Sequence, residues 1–452
     1  MGGSRKTGPA ARRRILEWLD QRTNFERVTP RASPGRTFGL TGVRRLLAEV
    51  GVPQERFPVA HVAGTKGKGS TVAMLAAILQ AAGHRTGRYM SPHVHAIEER
   101  ICVDGKPIGV ADLVAAFSAV IPAVEALDRI AARRRRLGPT WFEVVTAAAF
   151  VHFAHAEVDV AVLETGLGGR LDATNVCRPE VTVITSISLD HMALLGPTVA
   201  RIAAEKAGII KRGCPVVSGA VDSAAARVIA ATASRRRAPL LQLGRDFHAN
   251  HLPAARHPGT VDVEFPAGVH RRYRLGMAGR HQADNAALAV VAAAELDRRG
   301  IVVPERAIAT ALASVRLPAR IETVAKRPLV IVDAAHNVAS MEALVGALAA
   351  ELRPGRRRAL VFAASRDKQV EQMLATAAGH FDQVIVTSYA TNPRAAPVDR
   401  LVAACRLARL PQPAVAEGPA ESLRLARSLV GRNGIVVVAG SFFLAAEIRD
   451  AT

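Results

Sequence analysis

His61–Thr71 reads HVAGTKGKGST. It follows the apolar run FPVAHVA and precedes GSTVAMLAAILQAAG, an Ala/Leu-rich stretch that ends at Gly83. This order predicts a strand, a glycine-rich turn and a helix. Such a turn points backbone N–H groups and a helix N-terminus at whatever anion sits there, and Lys68 is placed to reach outer phosphates. The spacing departs from the general G-x-x-x-x-G-K-[ST] pattern. Val62 stands at the first glycine position, and Gly69 separates Lys68 from Ser70. The variant loop makes Gly64, Thr65, Lys66, Gly67, Lys68, Gly69, Ser70 and Thr71 candidate phosphate ligands. The bland alternative is a turn that only joins strand to helix. Within its G-T-x-G-K-G-S pattern, three glycines, a lysine and two hydroxyls in that setting count against it.

Outward from the loop, short β-rich runs alternate with longer helical stretches, as in a parallel sheet covered by helices. RTGRYM, VDVAVLE and VTVITSIS read as further strands. A second alternation begins with PLVIVDAAHN and continues through ALVFAAS, DQVIVTSYA and GIVVVAGSFF. The expected fold is therefore α/β: a phosphate-loop, parallel-sheet domain over residues 1–316 and a smaller Rossmann-like α/β domain over 317–452, with RLPARIE as the hinge. The ARRRRLG run at 132–138 is expected to be a solvated loop or helix face.

Composition narrows the function classes. The chain has 452 residues, enough for two hydrophobic cores. Apolar stretches such as VAMLAAILQAAG and VTAAAFVHFAHA are too short to cross a bilayer, so no membrane partner is expected. The net charge is +21 and the pI about 11.1, but the arginines are scattered and aromatics make up only 4% of the chain. Nucleic-acid platforms interleave basic residues with stacking rings, so the charge reads as an attraction for anionic substrates, not nucleic acid. Cys102, Cys177, Cys214 and Cys405 form no CxxC pair, which fits a reducing cytoplasm. The basic stretch MGGSRKTGPAARRR is expected to be a disordered tail.

A nucleotide triphosphate needs magnesium, which takes hard oxygen ligands, and these belong at the carboxyl ends of neighbouring strands. Glu164 ends one predicted strand, and Asp190 and His191 follow another. Each alone would more often be structural; together, on the edge that carries the loop, they indicate a site.

HVAGTKGKGS, YMSPHV, ERI, ETGLGGRLDATN, SLDHMALLG, EKAGIIK, HQADNA, PARIE and DAAHN, spread in this order from about Phe38 to Leu444, resemble the folylpolyglutamate synthase and dihydrofolate synthase branch of the Mur ligase superfamily. The resemblance implies an ATP- and pterin-binding first domain and a glutamate-ligase second domain. It implies magnesium, with a second ion also provided for, held by Ser91, Glu164 and His191, and a carbamylated lysine at Lys206. Residue by residue, it places Asn285 and Arg320 against ATP, and Asp333 and His336 at the site in the smaller domain. Asp333 would otherwise read as the cap of the next helix. For the pterin substrate it implies Phe38, Gly39, Leu40, Thr140, Phe142, Glu143, Leu171, Asp172 and Ala173, with His336 and Ser441 on the substrate side of the second domain. Phe142 also reads as core. The long Leu19–Phe38 segment and the RRRR run depart from the family pattern.

The implied activity is ATP-dependent ligation of L-glutamate to dihydropteroate or a reduced folate by a bifunctional, cytoplasmic, monomeric enzyme, with His336 as a base. Three alternatives stand beside it. One is a folylpolyglutamate synthase alone. Another is a Mur-type ligase acting on a UDP-muramyl peptide, disfavoured because only about 60 residues precede Gly64. The last is a non-catalytic nucleotide-binding module, disfavoured by the presence of Glu164 and His191.

Overall fold

A computed structural model describes residues 4–26, 39–253, 258–265 and 268–451; Phe38 lies outside the described residues. The chain divides into two compact units. The first comprises Met1–Leu252, Thr260–Arg274 and Ala283–Val315, and the second Pro253–Gly259, Leu275–Gln282 and Arg316–Thr452.

The first unit is built on an eight-stranded sheet. Its strands are β1 (Val59–Ala63), β2 (Thr86–Tyr89), β3 (Ile101–Val103), β4 (Lys106–Pro107), β5 (Val160–Glu164), β6 (Val181–Ile184), β7 (Val216–Ser218) and β8 (Leu240–Gln242). They lie in the order β4-β3-β2-β5-β1-β6-β7-β8. Every residue of β1, β5 and β6 is buried, as expected of continuous apolar strands covered on both faces. β1 pairs in parallel with β5 and β6, and Val62 sits opposite Glu164. This register brings the segments after β1, β5 and β6 to one edge, where open α/β sheets bind ligands.

Beside the sheet, β9 (His248–Leu252), β10 (Thr260–Phe265) and β11 (Val269–Arg274) form an antiparallel meander. It is absent from the sequence reading, because its alternation buries little more than Val261, Val263 and Tyr273. The N-terminal stretch is a second departure. Its described part is not a disordered tail: Ser4–Asp20 is helical, Ile15 and Leu19 enter the core, and Arg12 pairs with Glu98. Apolar residues at helical spacing hidden among arginines drive that docking. The Val110–Arg133 helix is long and apolar enough to cross a membrane by length and composition. Here its Leu113, Ala116, Phe117, Val120 and Val124 pack into the core. The arginines that end it, Arg133–Arg136, are exposed, as expected.

The second unit has a six-stranded sheet: β12 (Glu322–Lys326), β13 (Leu329–Val332), β14 (Arg358–Phe362), β15 (Gln383–Val386), β16 (Ala414–Val415) and β17 (Ile435–Ala439), ordered β12-β13-β17-β14-β15-β16. All neighbours are parallel except β12, which turns back on β13. Separate apolar clusters fill its two faces.

Candidate active site

Gly64–Gly67 links β1 to the Lys68–Ala81 helix. The Thr65 N–H donates to the Ser186 carbonyl at 2.7 Å, and the Thr185 hydroxyl donates to the Lys66 carbonyl at 2.6 Å. Two glycines are required by close approach. A Cβ on Gly64 would lie 1.7 Å from Thr185 Oγ1. A Cβ on Gly67, whose φ is +83°, would lie 2.1 Å from Asn285 Oδ1. Asn285 thus lies directly on the loop, within the same unit.

The charged groups gather on the same edge. Lys68 Nζ is 3.8 Å from Glu164 Oε1, and the Ser91 N–H donates to Glu164 Oε2 at 3.2 Å. A Cβ on Gly69 would come within 3.6 Å of that Oε2, so the loop and the carboxylate are in near contact. Lys66 Nζ is 3.2 Å from Asp190 Oδ2. His191 adopts a left-handed backbone (φ 49°), and its Nε2 is 3.9 Å from Asp190 Oδ1. The Lys66–Asp190 pair was not anticipated; its signal was a lysine inside the loop and an acid at the end of the adjacent strand. Lys206 lies beneath the loop, donating from Nζ to the Gly64 carbonyl at 2.7 Å. Burial, and then the nearby Lys68 charge, lowers its pKa to about 7.

Ser91, Glu164 and His191 offer a hydroxyl, a carboxylate and an imidazole, a donor set that suits magnesium through its oxygens. The buried hydroxyls of Thr71, Thr165 and Ser188, in the segments around the loop, have no hydrogen-bond partner among the described residues. A phosphate with its hydrated cation brings the missing partners, so these residues fit such a ligand.

The residues expected around the pterin are placed variously. Thr140 and Glu143 form the capping box of the Trp141–His155 helix, and the Glu143 carboxylate accepts from the Thr140 N–H at 2.8 Å. Phe142 is half-buried, its ring 6.0 Å from that of Tyr89 and against Gly166. Gly39 is exposed, whereas Leu40 and Leu171 are half-buried and Ala173 is buried. Asp172 is 6% exposed, and its oxygens accept from the N–H groups of Gly166, Leu167 and Thr174 and from the Thr174 hydroxyl. With those acceptor positions filled, it braces the glycine-rich turn that follows Glu164. Asn175, also unanticipated, donates to the Arg170 and Gly208 carbonyls and so ties that turn to the helix carrying Lys206.

In the second unit, Asp333 follows β13, is buried, and accepts from the Ile321 and Ala335 N–H groups, both at 2.8 Å. Burial raises its pKa, against the opposing pull of Arg320. It does not cap the next helix; Asn337 does, accepting from the Ser340 N–H. The left-over sequence signal was the N in DAAHN. His336 Nδ1 is 2.8 Å from the Ala334 carbonyl, which puts a proton on Nδ1 and leaves Nε2 as the basic nitrogen. Ser441 is buried at the start of the last helix and caps it through the Phe443 N–H.

Two family models match the chain: "Mur ligase middle domain" over residues 136–293 and "Mur ligase, glutamate ligase domain" over 319–442. The dihydrofolate synthase/folylpolyglutamate synthase of Bacillus subtilis is 36% identical over 416 residues, 91% of this chain and 94% of the relative. That of Mycobacterium tuberculosis is 38% identical over 397 residues, 85% of this chain and 80% of its own. Among solved structures, M. tuberculosis folylpolyglutamate synthase complexed with ADP superposes with a TM-score of 0.88 at 35% identity, covering 98% of both chains. Escherichia coli FolC in complex with DHPP and ADP gives 0.81 at 31%, covering 96% of this chain and 97% of that one. The α/β architecture agrees with these matches, and the chain belongs to the dihydrofolate synthase/folylpolyglutamate synthase family of the Mur ligase superfamily.

Proposed function

We propose that the chain is an ATP-dependent ligase that joins L-glutamate to the carboxylate of a folate-type substrate, accepting both dihydropteroate and reduced folates. The observation that carries this reading is the convergence of Lys68, Ser91 and Glu164 on a glycine loop that presses against Asn285.

A carboxylate is a poor electrophile because attack by an amine must expel oxide. Attack of the folate carboxylate oxygen on the γ-phosphorus of ATP releases ADP and gives an acyl phosphate, in which phosphate is the leaving group. The protein's work is positioning and charge neutralisation. The loop N–H groups and Lys68 hold the phosphates. Magnesium, assigned to Ser91, Glu164 and His191, supplies further positive charge to the phosphate oxygens when bound. The glutamate amine then attacks the acyl carbon, and inorganic phosphate leaves. His336, basic at Nε2, is assigned to accept the amine proton, and Ser441 to contact glutamate. Asn285 and Arg320 are assigned to ATP. Phe142, Leu40, Leu171 and Ala173 are assigned to the pterin side.

Lys206 is assigned as a carbamate site. With its pKa lowered to about 7, much of the amine is neutral at neutral pH, and its lone pair adds to CO2 with loss of one proton. The product carries a carboxylate beside the loop, suited to a second cation. We further read the protein as a cytoplasmic monomer whose two domains divide near residue 316.

Purified protein with ATP, magnesium and glutamate is expected to release phosphate and form the amide product, detected by mass spectrometry, with dihydropteroate and with tetrahydrofolate. Product with tetrahydrofolate alone would reduce the reading to a folylpolyglutamate synthase. Phosphate release independent of any pterin would overturn it.

A further inference from the structure

Among the described residues, the largest fully buried side chain is a cation that the reaction described above does not use. Arg100 is 1% exposed. A buried guanidinium is costly unless its donors are paired, and here they are. Its two terminal nitrogens meet both oxygens of Glu26, at 2.9 and 2.6 Å. Its Nε donates to His93 Nδ1 at 2.8 Å, and its Cζ lies 4.7 Å from the Trp141 ring centre. Burial works against the charge, but Glu26, with smaller help from Tyr89 and Glu164, outweighs it.

The neighbouring residues act on the same loop. Glu99 accepts from the N–H groups of Val94, His95 and Ala96 at 2.8–3.0 Å. Glu98 pairs bidentately with Arg12 of the N-terminal helix. The Met90 N–H donates to the Arg100 carbonyl. The loop that begins with Ser91 is therefore gripped at Met90, at His93 and at Val94–Ala96, from a single turn, Ile97–Arg100. That turn is held in turn by two carboxylate–arginine pairs to the N-terminal segment.

We propose that Arg100 is a positioning residue for Ser91: by holding His93 on one side and Glu26 on the other, it fixes the Ser91 loop against Glu164 and couples the N-terminal segment to the cation site. The inference rests on Ser91 and Glu164 being cation ligands. Arg100 itself is too buried to touch substrate. Its planar fork bridges two partners at fixed angles, which a lysine does not reproduce.

The test compares Arg100→Met, Arg100→Lys and Glu26→Gln with the wild type, after confirming that the wild type turns over in a magnesium-dependent way. A wild type without such turnover defeats the functional reading itself. Two quantities are measured: the magnesium concentration for half-maximal turnover, and ADP affinity by calorimetry with and without magnesium. Arg100→Met is expected to raise the magnesium requirement at least tenfold and to abolish the magnesium enhancement of ADP binding. The KM for glutamate and the magnesium-free ADP affinity should stay within twofold. Arg100→Lys and Glu26→Gln should fall between. A folded Arg100→Met protein with the wild-type magnesium requirement would overturn the proposal, as would parallel losses in glutamate KM and magnesium-free ADP binding. Should Arg100→Met fail to fold, the same criteria applied to Arg100→Lys and Glu26→Gln decide.

Discussion

Gly67→Ala tests the loop at the point where sequence and geometry constrain it most tightly. Gly67 has φ +83°, a left-handed conformation that costs an L-residue about 1–2 kcal/mol. The new Cβ would sit 2.1 Å from Asn285 Oδ1, well inside contact, so the amide must leave its position. Forcing that side chain off its rotamer costs about 0.5–1.5 kcal/mol more. The expected destabilisation is the sum, roughly 1.5–3.5 kcal/mol by urea unfolding. Displacing both the loop backbone and Asn285 should weaken ADP by roughly 10–100-fold, at about 1.4 kcal/mol per factor of ten. Gly83→Ala is the control: its φ is +98°, but nothing lies within 4 Å of the added Cβ. It should lose about 1–2 kcal/mol of stability and keep wild-type ADP affinity, read by titration calorimetry. Wild-type ADP binding by Gly67→Ala, or equal weakening by Gly83→Ala, would show that the Gly67–Asn285 contact does not shape the nucleotide site.

Lys68→Ala should lower kcat by about a hundred- to a thousandfold, the scale of losing one preorganised stabilising group at the reacting centre, while circular dichroism stays unchanged. Lys206→Met has a pH signature. The native amine has a pKa of about 7 and the unfolded one an ordinary 10.5, so between these values the unfolded chain binds the extra proton, and wild-type stability rises with pH across that window. The Met variant lacks this slope, so in carbonate-free buffer its stability relative to wild type should be more favourable at pH 6 than at pH 9; the reverse order would contradict the buried-amine assignment. Asp172→Asn replaces an acceptor that serves N–H donors on both oxygens with an amide that itself donates. It should cost about 2–4 kcal/mol by urea unfolding, from one or two buried N–H groups left without partners, and an unchanged midpoint would deny Asp172 its bracing role.

The loop and the carboxyl-edge residues were legible because each is local to a strand end: once β1, β5 and β6 are parallel neighbours, Gly64, Glu164 and Asp190 must share an edge. The second sheet was legible for the same reason, from runs such as IVVVA that are buried throughout. What the sequence did not disclose are partnerships across long separations. Nothing in EER announces that Arg100 meets Glu26, 74 positions away, or that Glu98 meets Arg12. Asp172 and Asn175 lay inside a recognised motif, yet their work as braces depends on the path of the 165–175 turn. The meander 248–274 escaped because its outward faces carry His, Arg and Glu instead of an apolar stripe.

In the proposed reaction the folate carboxylate is activated as an acyl phosphate. Dihydropteroate or tetrahydrofolate labelled with oxygen-18 in the reacting carboxylate, incubated with the protein, ATP, magnesium and glutamate, tests it directly. One labelled oxygen should appear in inorganic phosphate for each amide formed, with ADP as the other product. Phosphate without label, or AMP and pyrophosphate in place of ADP, would contradict it.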